Sequence, residues 1–206
     1  MLDDIISRIQ PLDATAAAAA RARQDTLTKP RGSLGRLEAL SVQLAGITGQ
    51  PVPKIAHKVI ITMAGDHGVV AEGVSAYPQE VTPQMTLNFL RGGAAINVLA
   101  RHVGARIVIV DMGVAADLEP HPDLVIRKIA PGTANMAAGP AMTEEQAVRA
   151  IRVGVEVVEA EITRGLDIVG TGDMGIGNTT PSAAIAAALT GRPPAGIAGR
   201  GAGVDD

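Results

Sequence analysis

The stretch "GTGDMGIGNTTPSAA", Gly170 to Ala184, combines bare backbone, one acid and a helix start. Glycines at 170, 172, 175 and 177 would let a ligand touch the main chain, because no Cβ stands in the way. Asn178, Thr179 and Thr180 supply a cap and hydroxyls, and Pro181 suits a first helical turn. A strand, a glycine loop and a helix N-terminus together form an anion site, since free N–H groups point outward and the helix dipole adds about half a positive charge. The chemistry this suggests is the grip of a phosphorylated ribose. Asp173 sharpens it. A carboxylate in an anion-binding loop is wasteful unless it binds sugar hydroxyls or faces a developing positive charge.

Three alternatives bear on this loop. Gly170 to Gly175 satisfies G-x-G-x-x-G, but a dinucleotide site also needs an acid about 20 residues on, and "GRPPAG" stands there instead. A phosphate loop of the G-K-[ST] type is absent. A tight turn between strand and helix with no ligand at all is the third, and it stays open.

The second polar cluster is "AGDHGVVAEGVSAYPQEVTPQM". Asp66 and His67 directly follow a strand-like run. No second histidine or carboxylate stands at metal spacing, so no metal is expected. A lone histidine is as often a hydrogen-bonded structural residue as a functional one. Tyr77, the one tyrosine, precedes Pro78 in a loop, a setting typical of binding contacts. Met63, Met85, Met112, Met136 and Met174 fall mostly near strand ends; core filling is their default, though thioethers also suit flat aromatic ligands.

The elements that must position these residues have a clear texture. "KVIITMAG", "ARIVIVDMG" and "LDIVGTG" are β-branched runs leading into glycine, and "LVIRKIA" (Leu124–Ala130) is a further, more exposed strand. Helical patterns cover Val81–Arg91, Ala94–Val103, Thr143–Arg164 and Thr180–Leu189, and Thr143-Glu-Glu-Gln146 is a capping box. Apolar strands alternating with helices predict a parallel, Rossmann-like α/β sheet flanked by helices, with ligands at the carboxyl ends of its strands. That is where "AGDHG", "DMG" and "GTGDMG" fall. Ahead of it, residues 1–52 read as a small helical subdomain. Asp13 or Thr15 caps a helix through Ala16–Ala20, and Ser33 caps a second whose Leu34, Leu37, Leu40 and Leu44 make one apolar face. The α/β domain then takes residues 53–206. Ile197-Ala198 reads as the start of another strand, so the domain looks unfinished at its C-terminus.

Composition bounds the rest. The chain has 206 residues, 47% hydrophobic and 19% charged, enough for one sizeable core. Net charge is −3, pI about 5.8 and mean hydropathy +0.23. There is no basic footprint for nucleic acid, and one Tyr, one Phe and no Trp give no stacking platform for bases. With no cysteine, disulfides and thiolate metal sites are out. No apolar run approaches the roughly 18 residues of a membrane span, and two early acids argue against a secretory leader. A cytoplasmic protein is expected.

Five blocks in order, "LTKPRGSLGRLE", "AGDHGVVAEGVSAYPQEVT", "FLRGGAAINVLAR", "GTANMAAGPAMT" and "GDMGIGNTTPSAA", closely resemble the nicotinate-nucleotide–dimethylbenzimidazole phosphoribosyltransferase family. The resemblance runs from about Leu27 to the end. It implies transfer of the phosphoribosyl group of nicotinate mononucleotide to 5,6-dimethylbenzimidazole, with inversion at the anomeric carbon and an oxocarbenium-like transition state. It implies no cofactor, a parallel α/β domain with a small helical one, and a homodimer. Carried over, Gly172, Gly175, Gly177, Asn178 and Thr179 hold ribose and phosphate, Asp66, His67, Tyr77 and Met85 belong to the aromatic base pocket, and Asp173 is the catalytic candidate. There are two departures: the family usually has Glu at position 173, and its general-base Glu lies in a stretch with no counterpart here. A non-catalytic mononucleotide-binding regulator and, less favoured, an NAD-dependent oxidoreductase are the rival readings.

Overall fold

The structure, a computed structural model, describes residues 2–202. It divides into two compact units, Met1–Ile55 and Ala56–Asp206. The first contains α1 (Leu2–Ser7), α2 (Ala14–Thr26) and α3 (Arg36–Thr48). Asp13 caps α2 by accepting a hydrogen bond from the Ala16 amide at 2.9 Å. The alanine tract lets α2 and α3 approach closely: Ala16, Ala20 and Ala45 are buried, and a Cβ on Gly46 would sit 3.5 Å from that of Ala17.

Two expectations fail in this unit. Ser33 caps nothing; residues 31–35 form turns, and α3 opens at Gly35 with φ +54°. Leu34, Leu37 and Leu40 stay exposed, because the small-residue side of α3, carrying Ala45 and Gly46, is the one that packs. The N-terminal helix α1 had no clear signal in the sequence.

The second unit is built on a four-stranded sheet of order β3-β2-β1-β4. Its strands are β1 (Lys58–Gly65), β2 (Ala105–Gly113), β3 (Leu124–Ile126) and β4 (Ile168–Met174), and every pairing is parallel. Between β1 and β2 come α4 (Val81–Leu90) and α5 (Ala95–Val103); α6 (Glu144–Thr163) joins β3 to β4, and α7 (Thr179–Thr190) follows β4. The helical crossover from β1 to β2 moves along the sheet one way and that from β3 to β4 the other, so right-handed connections put α4 and α5 on one face and α6 on the opposite face. Alternation along the strands agrees: Val59 and Ile61 of β1 and Val108 and Val110 of β2 form the core with Val153 and Val157 of α6.

The helix starts and the sheet direction follow local rules, and the exceptions are instructive. The Thr143–Gln146 capping box forms, with the Gln146 amide donating to Thr143 Oγ1 at 3.1 Å and the Thr143 amide donating to Gln146 Oε1 at 2.9 Å. The expected strand Leu124–Ala130 is strand only over Leu124–Ile126. Beyond it the Arg127 and Ile129 amides still bond to the Asp111 and Met112 carbonyls, but the chain peels into a loop. No strand begins at Ile197-Ala198: both amides donate to the Pro194 carbonyl in a 3-10 turn over Pro194–Gly196. The acids Asp205 and Asp206 lie outside the described residues. No helix among the described residues is long and apolar enough to cross a membrane.

Candidate active site at the strand ends

Asp66 ties three chain segments together where β1 ends. Its amide donates to the Gly113 carbonyl at 3.0 Å, its carbonyl accepts from the Thr133 amide at 3.0 Å, and its Oδ2 accepts from the Ala115 amide at 2.7 Å. Gly132 passes close by with φ +80°, a conformation that suits glycine, and a Cβ there would touch that of Asp66 at 3.4 Å. Asp66 is only 2% exposed, and its second oxygen, Oδ1, is buried with no hydrogen-bond partner.

His67 follows, half-buried, with its Nε2 also buried and unpartnered. Burial pushes its pKa below the ordinary 6.5, against the opposing pull of Asp173 and Asp66. The imidazole is therefore held mainly neutral near neutral pH. Its neighbour is the glycine loop. A Cβ on Gly175 would lie 2.7 Å from His67 Nε2 and would collide with the Gly65 carbonyl oxygen.

The loop itself is fastened from both sides. The Ile176 amide donates to Thr82 Oγ1 of α4 at 3.0 Å, Asn178 Nδ2 donates to the Asp173 carbonyl at 3.4 Å, and the Asn178 amide donates to the Gly175 carbonyl at 3.0 Å. Asn178 thus stands at the N-cap of α7, but its side chain secures the loop and makes no cap hydrogen bond. Gly177 has φ +77° and lies against Val70 and Val74. Gly172 has a different reason to be bare: a Cβ there would approach Thr62 Oγ1 to 2.7 Å, within the sheet.

A cavity of about 740 Å³ opens beside this junction on the α6 face, and Asp66, His67 and Asp173 all line it. Met63, Met112, Ile129 and Met142 make its apolar walls, while Thr133, Thr143 and Gln146 add polar groups. Volume and lining are those of a small-molecule site, mostly apolar with a few convergent polar atoms. Gly172, Gly175, Gly177, Asn178, Thr179, Tyr77 and Met85 are not among the residues lining it. Tyr77 is 53% exposed in the loop ahead of α4, and Met85 lies half-buried on α4 itself. The sequence reading missed the wall from Ile129 to Gln146. Two local signals fall in it, the block Gly132–Thr143 that carries part of the family resemblance and the capping box that opens α6, and neither by itself marks a cavity wall. Among the described residues no group of three His, Cys, Asp or Glu could hold a metal ion.

A family model described as phosphoribosyltransferase matches residues 9–206. The chain belongs to this phosphoribosyltransferase family. Among its relatives, the nicotinate-nucleotide–dimethylbenzimidazole phosphoribosyltransferase of Roseiflexus sp. (strain RS-1) is 62% identical over 206 residues, all of this chain and 58% of that protein. A protein of the same name from Chloroflexus aurantiacus (strain ATCC 29366 / DSM 635 / J-10-fl) is 59% identical over the whole chain and 59% of its own length. The crystal structure of CobT from Thermus thermophilus superposes with a TM-score of 0.90 at 52% identity, covering 93% of this chain and 58% of that one. The chain spans a little under three-fifths of the length of these relatives. Its parallel sheet flanked by helices is the family's fold, and membership in a phosphoribosyltransferase family disfavours both a regulator and an NAD-dependent oxidoreductase.

Proposed function

We propose that this chain binds nicotinate mononucleotide at the ends of β1 and β4, for transfer of its phosphoribosyl group to 5,6-dimethylbenzimidazole. The observation that carries the reading is the position of Asp173. It stands between a cavity fit for an aromatic ring and the loop whose amides open α7. Relatives named for this reaction match the chain from end to end, which supports the same substrates.

In the reaction, a ring nitrogen of the incoming base bonds to C1′ of the ribose on the face opposite the departing nicotinate. The C1′–N bond breaks, and its electron pair stays on the pyridine nitrogen. The proton on the other nitrogen of the base passes to a proton acceptor, giving α-ribazole 5′-phosphate and nicotinate. Positive charge accumulates on the ribose at the transition state, and a carboxylate at Asp173 is placed to oppose it. Positioning of the two rings supplies much of the remainder. The resemblance assigns the proton acceptor to a Glu without a counterpart in these residues, so nucleotide binding is the first activity to measure. A cytoplasmic homodimer is part of the same reading.

Titration calorimetry with nicotinate mononucleotide, followed by chromatographic detection of α-ribazole phosphate after adding dimethylbenzimidazole, tests the proposal. Saturable binding, tighter than that of NAD, is the expected result. No heat with the mononucleotide, or tighter binding of NAD, overturns it.

A further inference from the structure

Thr82 stands in the first turn of α4 and is completely buried, as is Thr86 one turn further on. Taking a hydroxyl out of water is costly unless it is hydrogen-bonded, and valine has nearly the same shape without that cost. The two threonines differ in what their hydroxyls reach. Thr86 Oγ1 donates to the Thr82 carbonyl at 2.9 Å, within the helix. Thr82 Oγ1 accepts from the Ile176 amide at 3.0 Å, in the middle of the glycine loop after β4. Other neighbours of that loop act by contact. His67 and the Gly65 carbonyl limit the approach of Gly175, and Val70 and Val74 limit that of Gly177. Such contacts set how near the loop comes. A hydrogen bond also sets which way a peptide faces, because it weakens steeply off line. The Ile176 amide is thus spent on α4, while the amides of Gly177 and Thr179 make no hydrogen bond among the described residues and are left for a ligand.

We infer that Thr82 is a positioning residue of the phosphoribosyl site: its hydroxyl sets the facing of the loop at Gly175–Gly177, and with it where the sugar phosphate sits. The inference rests on the function proposed above and deepens it, by naming a group outside the loop on which sugar binding depends. Completely buried, Thr82 offers the nucleotide no surface and acts through the Ile176 peptide. The same helix bears on the second substrate. Met85, which the family resemblance assigns to the base pocket, is three residues further along α4 and so neighbours Thr82 on the helix surface. The two share one helical turn, whose own hydrogen bonds hold their spacing. A loop hung from Thr82 is thereby kept at a set distance from Met85. Attack at C1′ requires ribose and incoming ring to be aligned, and misplacement by about an ångström is enough to slow such a step greatly. One turn of helix carrying both contacts supplies that alignment.

Three substitutions in the full chain test this. Thr82→Val keeps the shape and removes the acceptor, whereas Thr82→Ser keeps the acceptor and removes a methyl group. Thr86→Val removes a hydroxyl of the same helix that does not reach the loop. Affinities for nicotinate mononucleotide and ribose 5-phosphate are measured by calorimetry, and stability by urea denaturation. Thr82→Val should weaken both ligands about tenfold, the scale of one lost hydrogen bond. Thr82→Ser and Thr86→Val should bind both ligands as the unaltered chain does, although each loses stability. Affinity then follows the Thr82 hydroxyl and not stability, a split that a merely structural residue does not produce. Unchanged affinity in Thr82→Val, or losses that track stability in all three variants, overturns the positioning role and leaves the nucleotide site standing. Should Thr82→Val fail to fold, Thr82→Ser decides: retained affinity at reduced stability supports the role, and weakened affinity overturns it. If the unaltered chain binds neither ligand, the proposed function falls and the positioning role with it.

Discussion

Gly175 and His67 are fitted to one another: a single methyl group on the glycine would intrude to 2.7 Å from the imidazole Nε2. The Asp-His pair after β1 and the glycine loop after β4 are therefore one packed unit, although about a hundred residues of chain separate them.

The substitution Gly175→Ala should push the loop away from both His67 and the Gly65 carbonyl. A loss of about 1–3 kcal/mol in urea denaturation is expected, the usual cost of overpacking. His67→Ala in the same background should recover only part of it, because the carbonyl of Gly65 cannot move aside. Full recovery would show that the imidazole alone dictates the loop position.

Because burial lowers the pKa of His67, its neutral form belongs to the folded state. Between the lowered folded value and the unfolded value of 6.5, the unfolded chain holds more protons. Stability from this group is thus fully present above about pH 6.5 and declines as pH falls toward the folded value. Denaturation midpoints measured from pH 7.5 to pH 5 should fall less steeply for His67→Gln than for the unaltered chain. Parallel curves would contradict the assignment.

Thr143→Ala removes the hydroxyl that accepts from the Gln146 amide at 3.1 Å. A cost of about 1 kcal/mol to stability is expected by chemical denaturation, as for other threonine caps.

Gly172→Ala sets a methyl group 2.7 Å from Thr62 Oγ1, a buried atom with no hydrogen-bond partner. The variant should be destabilised, and adding Thr62→Ala should restore part of the loss. A double-mutant cycle should give a coupling of about 0.5 kcal/mol or more between the two positions. Strict additivity would mean that the strands separate instead.

What the sequence determined by itself is local. Runs of Val and Ile ending in glycine specified strands and the ends at which ligands sit, and the Thr143–Gln146 spacing specified the start of α6, because these patterns depend on neighbours a few residues apart. Partner choice is different. Leu34, Leu37 and Leu40 repeat like a buried face, yet α2 packs on the alanine and glycine side of α3, where backbones come closest. The cavity is the clearest case. Its walls come from β1, β2, the segment after β3, α6 and β4. Only the strand order and the two opposed crossovers bring those pieces to one rim, since convergence of distant segments is a property of how the sheet is wound and leaves no periodic trace in any of them.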